Sequence, residues 1–210
     1  MPQKANISVK DTWKQAGSDT SVRAKIISGS VIVSAILAML PFFFRGIENR
    51  QGVVLNDWLL AQIPPHNVSG LIFIIIWGMG LLILYRAIYK PTIYMLYVWS
   101  LIFIVIARMI SISIVALNPP VGLIPLADPL TGIFYGHAVV TKDLFFSGHI
   151  STVTLIFLCL EKKTDRILGF ISIFAIAVLL LIQHIHYTVD ILAAPIITYI
   201  IYRLTRYIIL

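Results

Sequence analysis

Two short segments of this chain pair residue types that can do chemistry together. His186 and Asp190 stand four residues apart in H-Y-T-V-D. On a helix that spacing puts both on one face, one turn apart. The carboxylate can then accept a hydrogen bond from one imidazole nitrogen, fix the tautomer and leave the other nitrogen electron-rich and able to attack. Ser147, Gly148 and His149 close the second segment, D-L-F-F-S-G-H, which opens with Asp143. Ser147 suits a helix N-cap, and Gly148 lets another group approach the backbone closely. The N–H groups of a helix start attract an anion such as phosphate. His149 can give a proton to a departing oxygen. Arg108 is the third element, because a guanidinium matches the geometry of phosphate oxygens. An acid, a nucleophile with its orienting carboxylate and an anion-binding cation are the parts of a phosphoryl-transfer site that needs no metal. Each part also has a plainer reading. His186 and Asp190 can simply hide each other's polarity, S-G-H can be a capped helix with a hydrated histidine, and Arg108 can sit in a structural ion pair with Asp143 or Asp190.

Such groups need elements to bring them together, and composition says of what kind. The chain is 59% hydrophobic and only 12% charged, where a soluble domain carries about 25% charged residues. Its mean hydropathy is +0.94. Lipid is therefore the solvent for most of the chain. A membrane span takes roughly 20 apolar residues, and apolar runs at 26–44, 68–85, 92–117, 144–160, 167–183 and 187–204 predict six of them. They must be helices, because a chain in lipid has to satisfy its own backbone hydrogen bonds. The expected fold is an all-α polytopic membrane protein, with one six-helix bundle over residues 26–210 and a polar tail over 1–25. The mixed charge of the first 22 residues predicts no cleavable signal peptide. The single cysteine, Cys159, offers neither a disulfide framework nor a metal cluster.

Charge predicts the orientation. Lys4, Lys10, Lys14, Arg23 and Lys25 in the tail, Arg86 and Lys90, Lys162, Lys163 and Arg166, and Arg203 and Arg206 all fall on one side. Arg45, Arg50 and Lys142 fall on the other. This bias places both termini in the cytoplasm and accounts for the net charge of +7 without a nucleic-acid partner. The histidines have the opposite distribution: His66, His137, His149, His184 and His186 all fall at the outer ends of spans or in outer loops. The chemistry is thus expected at the outer face, in a bacterial inner membrane facing the periplasm. His184 and His186 form an H-x-H pair, but positions i and i+2 of a helix point apart, so no metal is expected there. Lys142 reads as an interfacial lysine stretching to the headgroups, and Trp13, Trp58, Trp77 and Trp99 as interface residues.

S-G-H combined with H-Y-[ST]-x-D resembles the type 2 phosphatidic acid phosphatase superfamily, and within it the sphingomyelin synthase branch. That branch has six spans, D-x-x-x-S-G-H before the fourth, and H-Y-[ST]-x-D opening the sixth. Arg108 with Ser111, Ser113, Leu117 and Pro119 is similar to its arginine-containing third span. The resemblance implies that His186 attacks phosphorus to form a phosphohistidine, that Asp190 supports it, and that His149 protonates the departing alcohol. Arg108, Ser147 and Gly148 would hold the phosphate, with Asp143 and Tyr187 behind. Membrane lipids would be donor and acceptor, with no cofactor. The chain differs in having Thr141-Lys142 where the branch has Cys-Gly, and Leu180 where the superfamily has an arginine. Water resolving the phospho-enzyme would make a plain lipid phosphate or undecaprenyl-diphosphate phosphatase; a lipid hydroxyl would make a transferase. Donor, acceptor and oligomeric state stay open. A small transporter or scaffold would instead place polar groups at mid-membrane on several spans, whereas here only Arg108 lies deep.

Overall fold

A computed structural model describes residues 12–126 and 140–210. Of the residues named above, Lys4, Lys10 and His137 lie outside the described residues. Among the described residues there are seven α-helices: α1 (Trp13–Ser18), α2 (Thr20–Glu48), α3 (Ser69–Tyr89), α4 (Pro91–Ile114), α5 (Gly148–Cys159), α6 (Lys163–Ile182) and α7 (Thr188–Ile209), with a 3-10 turn at Leu60–Gln62. Helices α2, α3, α4, α6 and α7 are long and apolar enough to cross a membrane. The chain is an all-helical integral membrane protein. Among the described residues, extended pairing is confined to one bridge between Val53 and Leu117.

The expected fourth span, 144–160, takes a different form. Its helix is α5, only 12 residues long. At 1.5 Å per residue it covers about 18 Å, short of the roughly 30 Å of a hydrocarbon core. Leu144 and Phe146 are apolar because they are buried, not because they are helical. Helices α3, α4, α6 and α7 all pack on α5. Ile150, Ser151, Val153, Thr154, Leu155 and Ile156 are buried and Thr152 is half-buried, so this stretch presents no fully exposed residue to lipid.

Capping explains where the other helices depart from the apolar runs. Helix α2 starts six residues before the run, at Thr20, because the Asp19 carboxylate accepts hydrogen bonds from Ser21 N (2.8 Å) and Val22 N (3.2 Å). Part of the expected tail is therefore helical. Helix α4 stops at Ile114, where Arg50 donates to the carbonyls of Ile112 (2.6 Å) and Ser113 (2.8 Å). A cation there satisfies carbonyls that the helix leaves orphaned. Lys142 does the same for α2. Its ammonium donates to Glu48 O (2.9 Å) and Arg50 O, while the Glu48 carboxylate accepts from Lys142 N (2.8 Å) and Thr141 N. Lys142 is thus held by the end of α2 rather than extended toward headgroups.

One end of the bundle gathers the basic turns. Lys25 Nζ donates to Ile209 O (2.9 Å), and Trp13 Nε1 to Ile88 O (2.8 Å). Arg86 pairs with Asp165 (2.7 Å), and Lys90 with Glu161 (2.5 Å). The other end is knitted by loops. Gly52 N donates to Asn118 Oδ1 (3.2 Å), Asn118 Nδ2 donates to Gly52 O (2.7 Å), and Val53 N reaches Ala116 O (3.0 Å). A Cβ on Gly52 would lie 2.5 Å from the backbone carbon of Leu117. Backbone cannot swing aside as a side chain can. Gly52→Ala should therefore cost about 1–3 kcal/mol, read as a lower denaturation midpoint of the detergent-solubilised protein.

Candidate active site

Three helix segments converge at the looped end: the N-terminus of α5, the N-terminus of α7 and the last turns of α4. Ser147 ties the first two together, its N–H donating to Asp190 O (3.2 Å). Ser147 is fully buried, and its hydroxyl accepts from Ile150 N (3.5 Å) as the N-cap of α5. It shapes the site from inside rather than facing it. His149 follows in the first turn, and its ring lies 6.3 Å from that of His186, centroid to centroid, at 68°.

His186 and Asp190 meet, though not by the expected geometry. Helix α7 begins at Thr188, so His186 precedes it and the two are not one turn apart on a helix face. The Asp190 carboxylate instead folds back over the helix start. Its Oδ2 lies 3.4 Å from His186 Nδ1 and accepts from Tyr187 N (3.2 Å). A carboxylate at the third helical position is well placed for that return bond and for the positive end of the helix dipole. His186 is 2% exposed and Asp190 not at all. Asp190 Oδ1 is buried with no hydrogen-bond partner among the described residues.

Arg108 sits six residues before the end of α4. Its Nη2 donates to Asp143 Oδ1 (2.5 Å) and its Nε to Phe146 O (3.0 Å). Of the two carboxylates open to it, Asp143 is the partner. Gly148 makes the approach possible: a Cβ there would fall 2.6 Å from Arg108 Nη1 and 2.7 Å from Cζ. The guanidinium thus lies against the first residue of α5. Ser111 fastens the segment before it, donating to Phe145 O (2.9 Å). Tyr187 stands behind, its hydroxyl donating to Asn118 O (3.0 Å) and accepting from Leu55 N (3.1 Å).

Residues 140–207 match the family model described as PAP2 superfamily C-terminal. No curated protein matches the chain. The PAP2 match covers about a third of the chain and includes Asp143, Ser147, Gly148, His149, His186 and Asp190. It supports the type 2 phosphatidic acid phosphatase superfamily and points to membrane phosphatase-type chemistry. Arg108 lies outside the PAP2-matched residues and reaches them through the fold.

Several residues that hold the site have no marker in the sequence. Asp57, in the loop after α2, accepts from Thr188 N (2.6 Å) and Thr188 Oγ1 (2.9 Å), capping α7 from a distant segment, and also from Leu60 N (3.1 Å). Gln183 is fully buried, donating to Ser69 Oγ (2.7 Å) and accepting from Val68 N (3.2 Å), so it locks the start of α3 to the end of α6. His184 turns away from His186, with φ at 55°, and its nitrogens lie 2.9 Å from Val121 O and 2.8 Å from Ile63 O. His66 is exposed and contacts Pro64 O.

Burial pushes the Asp57 carboxyl up, but the hydrogen bonds from Thr188, Leu60 and Leu59 outweigh it and hold the group below its ordinary value. A depressed folded value means that Asp57 contributes stability above the usual carboxylate range. That contribution is lost as pH falls through the lowered value. The melting-temperature gap between the native chain and Asp57→Asn should therefore be widest at neutral pH and close on acidification, as read by circular dichroism in detergent.

Proposed function

We propose that this protein is a lipid phosphatase or phosphotransferase, sphingomyelin synthase-like in its residues, that works through a phosphohistidine on His186. The observation that carries the reading is the His149–His186 pair, 6.3 Å apart at two converging helix starts, with Asp190 on the inner nitrogen of His186. Asp190 holds Nδ1–H, which leaves Nε2 as the nucleophile. Nε2 forms the N–P bond as the P–O bond to the departing alcohol breaks. That oxygen takes its proton from His149. In the second half His149 removes a proton from water or a lipid hydroxyl, whose oxygen bonds phosphorus as the N–P bond breaks. Arg108 Nη1 and the N–H groups opening α5 face the phosphoryl oxygens. Asp143 fixes the guanidinium, and Tyr187 fixes the turn that carries His186.

The basic end of the bundle is assigned to the cytoplasm by its lysines and arginines. The site then belongs to the outer leaflet, on the periplasmic side if the host is bacterial. Lipid would reach it laterally between helices.

The test is to incubate the purified protein with lipid donors carrying labelled phosphate and quench during turnover. The expected result is acid-labile label on the protein, mapped to His186. Inorganic phosphate as final product means hydrolysis. A new phosphorylated lipid that appears only with an added lipid hydroxyl means transfer. Turnover with no protein-bound label, or with label on another residue, would sink the reading.

A further inference from the structure

The loop between α2 and the 3-10 turn presents an unusual surface. Trp58 is 76% exposed and Val53 65%, and Val54, Leu55 and Leu59 are exposed beside them. Trp58 Nε1 has no hydrogen-bond partner among the described residues, so no polar contact among them accounts for its outward position. The loop does not hang free. Val53 is bridged to Leu117, Leu55 N donates to the Tyr187 hydroxyl, and Asp57 accepts from Thr188 and Leu60. The exposed apolar side chains are therefore held out by a hydrogen-bonded backbone.

The surface lies next to a membrane-crossing helix, α2, whose outer half exposes Met39 and Phe42. It follows in the chain directly on a helix whose exposed apolar residues suit lipid. Tryptophan prefers the boundary between headgroups and acyl chains, with its ring in the apolar zone and its N–H among polar groups. Asn56 is exposed in the same loop, while Asp57 is turned to the protein by its bonds from Thr188 and Leu60. An exposed apolar patch marks a binding surface, and here the partner of matching chemistry is the bilayer.

The loop's anchor points on the protein add the second half. Leu55 and Asp57 hold Tyr187 and Thr188, two of the three residues between His186 and Asp190. We propose that the 53–59 loop is seated in the outer-leaflet interface, and that this seating positions the turn carrying His186. Trp58 is the membrane contact, and Asp57 is a positioning residue that acts through Thr188. The second half rests on the reading of His186 as nucleophile; the first does not.

Cys159 is the chain's one cysteine and is buried, so a nitroxide on Trp58→Cys labels one place. The full chain is reconstituted in vesicles of phosphatidylcholine and phosphatidylglycerol, and electron paramagnetic resonance compares collisions with oxygen and with a water-soluble nickel chelate. Oxygen dominant supports seating in the interface. Nickel dominant means that the loop stands in water, and neither reaching the label means that another part of the protein covers it; both overturn the proposal. In the same vesicles Trp58→Ser should lower kcat about tenfold with KM unchanged, since small misplacements of reacting groups are costly, and Trp58→Tyr should restore it. Unchanged kcat in Trp58→Ser overturns the coupling. A native chain that turns over no lipid phosphate condemns the enzymatic reading instead, and the nitroxide result then decides the seating alone.

Discussion

Turnover by His186→Ala should fall on the order of 10⁴-fold below that of the native chain, the scale on which loss of one member of a nucleophile–orienter pair is felt. The geometry makes the loss chemical rather than structural. Asp190 Oδ2 keeps its bond from Tyr187 N when the imidazole is gone, so the start of α7 retains its cap. Ser147 N still reaches Asp190 O, so α5 and α7 stay joined. His149 remains but has no partner to which phosphorus can pass. Thermal unfolding followed beside the phosphate assay separates the two causes. Full activity in His186→Ala would remove His186 from the reaction whatever the family resemblance. A collapsed melting transition would move the variant's meaning from chemistry to folding, and Asp190→Asn, which keeps the side chain's shape, would then carry the test.

The second large effect is expected from a single methyl group. Gly148→Ala places a Cβ where Arg108 Nη1 and Cζ now lie, at 2.6 and 2.7 Å. The guanidinium ends a flexible side chain, so it can move without disturbing the fold. Moving it breaks the bonds to Asp143 Oδ1 and Phe146 O. A displacement of about 1 Å in a positioning group can cost about 10²-fold, and that is the expected fall in kcat/KM. Alanine is the better helix former at the head of α5, which offsets part of the stability lost with those two bonds. A fall in activity far out of proportion to the fall in melting temperature is the signature to look for. Undiminished activity would mean that the position of Arg108 against α5 does not matter to the reaction.

These two variants also show how the site is distributed between local and distant information. Ser147, Gly148 and His149 adjoin in the chain, and His186 and Asp190 are four apart, so spacing alone suggests who can touch whom. Even there the mechanism of contact differs: a helix-start return bond replaces a helix face, because α7 begins two residues after His186. Arg108 is a middle case. The cost of burying a charge narrows its partner to a phosphate or one of two nearby carboxylates, and packing of α4 against α5 selects Asp143. Asp57, Asn118 and Gln183 are the far case. Their bonds to Thr188, Tyr187 and Ser69 close loops of 131, 69 and 114 residues, and a polar loop residue has no periodicity to announce it. The fourth apolar run forms a short enclosed helix rather than a long lipid-facing one, and its sequence does not announce this for a related reason. The lipid core and the protein interior select the same residue types, so an apolar run reports a dry environment without saying which one.

The enclosure of α5 has a further meaning for how this protein experiences its bilayer. Changes in hydrocarbon thickness act on helices that touch lipid, which tilt or stretch their surroundings at a cost of fractions of a kcal/mol per Å. Helix α5 is ringed by α3, α4, α6 and α7 and borders none of that lipid along its buried stretch. Its 12 residues need not match any membrane. The outer helices can therefore lean to accommodate a thicker or thinner bilayer while His149 and Ser147 stay with the inner one, to which the bonds from Arg108 to Asp143 and Phe146 O fasten α4. The bundle works like a gimbal: an outer frame that follows the membrane around an inner axis that does not.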